Sequence, residues 1–108
     1  MESEVVRLER AAFAAAALAS VTRLHLLQLL GNNPLLPSHH VSEVDEDGGV
    51  GLTLLTHAVR LGVPAVLKHL DMLRHAGLVR KTVVDRRAYY RRDEDALRKA
   101  LKDIREAL

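Results

Sequence analysis

The sequence predicts a mainly α-helical domain that carries one small β-hairpin, and three observations lead there. Residues 54–79 read as two short amphipathic helices joined by a tight turn. Residues 78–82 and 88–92 alternate like strands around a basic tip at 83–87. Positive charge is concentrated in the same place: 60–92 has a balance of +7, against −4 for 1–59 and −1 for 93–108. A helix able to lie in a major groove, followed by a cationic hairpin, is the layout of a DNA-binding domain. A basic patch of this kind attracts and steers a polyanion.

The elements follow in chain order. Residues 2–19 favour helix, and Val5, Leu8, Ala12, Ala15 and Leu18 give it a broad apolar face. Such a helix needs cover on more than one side, and a second subunit is the simplest cover. Ser20 suits the N-cap of a second helix at 21–30, where Leu24, Leu27 and Leu30 share a face with Leu26 and Leu29 beside it. Gly31 and Asn32 end that helix. Residues 33–53 show no periodicity, and a long acidic, Gly-rich loop is expected at about 31–53. A third helix is expected at 54–61, broken by Gly62. Pro64 then suits the first turn of a fourth helix, whose buried stripe is Val66, Leu70 and Leu73. Gly77 stands where a helix-terminating left-handed residue belongs. Residues 93–108 form a last helix, with Asp93 and Asp95 at its positive end. The expected order is α-α-α-α-β-β-α in one domain spanning 1–108.

Composition excludes several classes. An apolar content of 48% is too high for disorder, and no run approaches the ~20 apolar residues that span a bilayer. The apolar stretch 11–19 lacks the layout of a signal peptide. The chain has no cysteine, which removes disulfides and thiolate metal sites and is compatible with a cytoplasmic location. No phosphate-binding loop, dinucleotide fingerprint or nucleophile–base set is present. Ser3, Ser20, Ser38 and Ser42 lack the strand–turn setting of a catalytic serine. An enzyme is not expected.

Three motifs carry a family resemblance. Ala19-Ser20-Val21-Thr22-Arg23-Leu24 is similar to an A-x-P-T-R-L opening, with Val21 in place of proline. VLKHLDMLRHAGLV at 66–79 is similar to a V-S-x-H-L-x-x-L-x-x-A-G-L-V core, and Arg86-Arg87-Ala88-Tyr89-Tyr90 looks like a G-R-x-x-Y-Y ending. In that order they resemble the ArsR/SmtB family of winged helix-turn-helix transcriptional regulators. The resemblance implies a winged helix-turn-helix that dimerises through its first and last helices. It also implies binding to palindromic duplex DNA and release of that DNA, as repressors do, when an effector such as a metal ion binds.

The candidate DNA-binding residues are Val63, Pro64, Ala65, Leu67 and Lys68 on the fourth helix, and Arg80, Lys81, Arg86 and Arg87 on the hairpin. Lys68 can reach a guanine edge or a phosphate, whereas Ala65 and Leu67 offer apolar contact such as to a thymine methyl. The family usually places Ser, Gln or Thr there, so shape readout and phosphate contacts gain weight. About six cations on phosphates would give a log–log salt slope near −5. Of Tyr89 and Tyr90, one is expected in the core. The alternative is a winged-helix module that binds a protein through Val63, Ala65 and Leu67. For an effector, His39 and His40 with Glu43, Asp45 and Asp47 offer imidazole and carboxylate donors that suit nickel or zinc. The alternative for that segment is a solvated acidic loop. The family's pairing of histidines and acids on the last helix is absent, because 93–108 contains no histidine.

Overall fold

The computed structural model describes residues 1–31 and 49–108. Two helices open the chain, α1 (Glu4–Leu18) and α2 (Val21–Gly31). A short strand β1 (Val50–Gly51) leads into α3 (Leu52–Val59), then α4 (Val63–His75). The strands β2 (Val79–Val84) and β3 (Arg87–Arg92) form the hairpin, and α5 (Glu94–Ala107) closes the chain. The sheet order is β1-β3-β2, antiparallel throughout, with Val50 opposite Tyr90 and Lys81 opposite Tyr90 on the other side.

The core sits where α2, α3, α4 and the sheet meet. Leu26, Leu55, Val66, Leu70, Leu73 and Tyr90 have no exposed surface. The stripe expected on α4 is therefore the buried one. Burying each of these aliphatic side chains removes about 1.5–3 kcal/mol of unfavourable hydration. The end of α4 is closed as Gly77 suggested: its φ is +78°, its N–H donates to the Arg74 carbonyl, and Leu78 N–H donates to the Leu73 carbonyl. These two bonds form a Schellman motif, which satisfies carbonyls that the helix leaves open.

Four expectations are corrected. The buried face of α1 is Ala11, Ala14 and Ala17, while Val5 and Leu8 point outward and are exposed. Small side chains let α5 lie close against α1, so the bulky apolar face is left outside. Leu24 is half exposed, and Arg23 takes a buried place on α2 instead. The expected loop ends earlier than Thr53, because Val50 and Gly51 pair with Tyr90 and Tyr89 and α3 starts at Leu52. A two-residue strand has too few positions to show a period, so sequence pattern does not reveal it. Finally, the hairpin tip is Asp85-Arg86 alone. Both have positive φ (49° and 67°), the backbone of a type I′ turn, which matches strand twist and lets pairing run to Val84–Arg87.

Candidate nucleic-acid interface

The α4 N-terminus is built to face outward. Gly62 is the N-cap and has no side chain to occupy the first-turn amides, and Pro64 has no N–H to leave open. Val63, Pro64, Ala65 and Lys68 are exposed, while Leu67 is half-buried. The anchor for this helix is Arg23, which sequence reading noted only within the Thr-Arg-Leu motif. It is 7% exposed. Its Nε donates to the Ala17 carbonyl at 2.7 Å and its Nη2 to the Ala16 carbonyl at 3.2 Å, at the negative end of α1. Its Nη1 lies 3.1 Å from His69 Nδ1 on α4. Arg23 thus ties the α1–α2 corner to α4. Burial, then the charge of Arg23 and then that of Lys68, pulls the His69 pKa below its ordinary value.

The hairpin distributes its cations over several directions. Residues alternate across a strand, and opposite partners share a face. Arg80, Arg87 and Arg91 therefore lie on one face with Tyr89, and Lys81 lies on the other with buried Tyr90. Arg86 occupies the tip. Arg87 belongs to β3 rather than to the tip. The expected single patch is thus corrected: the cations straddle a thin ribbon. Tyr90 takes the core place expected of one tyrosine, and burial pushes its phenol pKa up.

Arg80 is committed elsewhere. Its Nε donates to Asp93 Oδ2 at 2.9 Å, and Asp93 Oδ1 accepts the Ala96 amide as the N-cap of α5. The Ala96 amide and then Arg80 hold the Asp93 carboxyl below its usual range. This pair offsets the repulsion between Arg80 and Arg91, which face each other across the strands. Arg74 pairs with Asp71 at 3.1 Å, and Arg92 bonds to Glu94 and to the Leu27 carbonyl. Lys68, Lys81, Arg86 and Arg87 have no carboxylate partner among the described residues. Arg86 and Arg87 border a notch of about 380 Å³ with Tyr89 and the start of α3. The α3 N-cap, Gly51, also lacks a capping side chain.

His39, His40, Glu43, Asp45 and Asp47 lie outside the described residues. Among the described residues, no three His, Asp or Glu side chains converge as metal ligands. No single helix there is long and apolar enough to cross a membrane.

Helix-turn-helix plus a hairpin wing defines a class: the winged helix-turn-helix domain. Scans against family models and against curated proteins find no match. Solved structures do match. NolR from Sinorhizobium fredii superposes with a TM-score of 0.68 at 24% identity, covering 98% of this chain and 95% of its own. The homodimeric winged helix-turn-helix DNA-binding domain of Mb0332 from Mycobacterium bovis, a possible ArsR-family transcriptional regulator, gives 0.69 at 23%, covering 94% and 82%. The transcriptional regulator HlyU from Vibrio vulnificus gives 0.60 at 21%, covering 87% and 83%. At these identities the likeness establishes the fold, the winged helix-turn-helix that the three motifs implied.

Proposed function

We propose that this chain is a transcriptional regulator that binds duplex DNA as a homodimer. The observation that carries the reading is the pairing of an outward-facing α4 N-terminus, whose Gly62 N-cap has no capping side chain, with a wing whose Lys81, Arg86 and Arg87 have no acid partner among the described residues. Helix α4 would enter a major groove, and the ribbon would reach the flanking backbone or minor groove with cations on both faces and at its tip. Arg80 holds the wing base to α5 and contributes little to phosphate binding. With Ala65 and Leu67 at contact positions, discrimination rests mainly on DNA shape.

Support for the dimer comes from the exposed apolar face of α1 (Val5, Val6, Leu8) and from Leu101 on α5. Sedimentation of the chain at micromolar concentration is expected to give twice the monomer mass, and Val5→Glu with Leu8→Glu a monomer. A dimer that survives both changes would move the interface elsewhere. The DNA reading is tested by fluorescence anisotropy on genomic duplex fragments. Affinity independent of salt would end it, and would leave the protein-binding reading through Val63, Ala65 and Leu67.

The effector reading is a nickel or zinc ion held by His39 and His40 with Glu43, Asp45 or Asp47, and it rests on donor chemistry. Calorimetric titration of each metal into the chain and into its His39→Ala/His40→Ala variant tests it. Equal binding by both proteins would exclude the loop.

A further inference from the structure

An apolar groove of about 710 Å³ runs between α1 and α4. Its volume lies within the range of pockets that hold drug-sized molecules. Phe13 and Ala16 form one wall, and Pro64, Leu67 and Met72 the other. At one end the Phe13 ring meets the His75 imidazole edge-on, with centroids 5.9 Å apart.

The charges around this groove are unbalanced. Lys68 lines it and has no acid partner among the described residues. Asp71 also lines it, but its Oδ1 already accepts from Arg74 at 3.1 Å. Behind the wall sits Arg23, whose guanidinium donates to the Ala16 and Ala17 carbonyls and touches Met72 Sδ at 3.3 Å. No carboxylate bonds to Arg23 among the described residues, so a buried cation is offset there by carbonyl dipoles and the His69 ring. A charge with low-dielectric surroundings acts over a longer range than one in water. The site therefore combines apolar walls with positive potential.

We propose that this groove binds a small amphipathic anion, a flat apolar body carrying one carboxylate or sulfonate, with the acid toward Lys68 and the Arg23 side. A neutral apolar molecule would gain the walls but not the field, and an organic cation would be repelled. Because Pro64, Leu67 and Lys68 belong to the same turns of α4 that would meet DNA, an occupied groove competes with DNA for Lys68 and bridges α4 to α1. This consequence for DNA rests on the reading given above, whereas the binding site itself does not.

The test is calorimetry on the full chain without DNA, using 2-naphthoate and its neutral isostere 2-naphthamide. The expected result is one naphthoate per chain, with the amide bound roughly tenfold more weakly. Lys68→Gln should remove most of that preference. Ala16→Phe, which fills the groove from an exposed position on α1, should abolish binding with the thermal midpoint unchanged. Equal affinity for acid and amide would overturn the proposal, as would full binding by Ala16→Phe. Absent binding together with weakened self-association of Ala16→Phe would also overturn it, and would assign the groove to a second copy of the chain. Added naphthoate is then expected to raise the Kd for duplex DNA several-fold in the wild type and not in Ala16→Phe. A chain that binds naphthoate but no DNA would sink the DNA reading and leave the groove intact.

Discussion

On the proposed DNA reading, the salt dependence of binding follows from which cations are free. Binding displaces counterions from phosphate, and each neutralised phosphate contributes about −0.9 to the slope of log K against log salt. Arg74, Arg80 and Arg92 are held by Asp71, Asp93 and Glu94, and Arg91 is also engaged, so Lys68, Lys81, Arg86 and Arg87 are the α4 and wing cations counted as available to phosphate. Two protomers then give a slope of about −7, and affinity falls by roughly 10⁴ between 50 and 200 mM salt. Combined Lys81→Ala, Arg86→Ala and Arg87→Ala substitutions leave Lys68 alone in each protomer. The slope should flatten to about −2, with affinity changing by roughly tenfold over the same range. Arg80→Ala serves as the control. It removes a charge already bonded to Asp93 at 2.9 Å, so its slope should stay within about one unit of the wild type. Anisotropy titrations at four or more salt concentrations read all three slopes. An unchanged slope in the triple variant would refute the assignment, and so would an Arg80→Ala slope as flat as the triple variant's.

Three further outcomes are expected. Gly77→Ala places a Cβ in the left-handed region at φ +78° and should cost about 1–2 kcal/mol in urea unfolding, with Gly77→Asn costing less; equal stability of Gly77→Ala would contradict that backbone. Tyr90 buries a hydroxyl with no hydrogen-bond partner among the described residues, so Tyr90→Phe should stabilise the fold by about 1 kcal/mol, and a loss of stability would mean that the oxygen is bonded. His69 binds its proton less readily folded than at its ordinary pKa of 6.5, chiefly through burial. Between that depressed value and 6.5 the unfolded chain holds more protons, so stability rises with pH across this window. The contribution is complete above pH 6.5 and is lost as pH falls below it. Thermal melts from pH 7.5 to 5 should show the decline in wild type and a flatter profile in His69→Gln; parallel profiles would refute it.

Local pattern carried far along this chain. Val66, Leu70 and Leu73 repeat at helical spacing, so their burial is written in the period. Gly77 marks a backbone that few other residues adopt, and Ser20 caps α2 by accepting the Arg23 amide. These features depend on neighbours within a few residues. The wing was legible as well, although its tip was drawn too wide, because Asp85-Arg86 lacks the glycine that usually marks a type I′ turn.

What the sequence by itself determined is the order of helices, the hairpin, the α4 core stripe and the location of the basic segment, since each is a matter of short-range periodicity and composition. The tertiary structure alone decided which cations are free. Arg80 meets Asp93 thirteen residues away, and Arg23 meets His69 forty-six residues away. It likewise decided that the alanine face of α1, and not its bulky face, turns inward, and that β1 completes the sheet. The physical reason is that charge pairing and helix packing depend on distance in space, which the chain sets only after α1, α4 and α5 have come together.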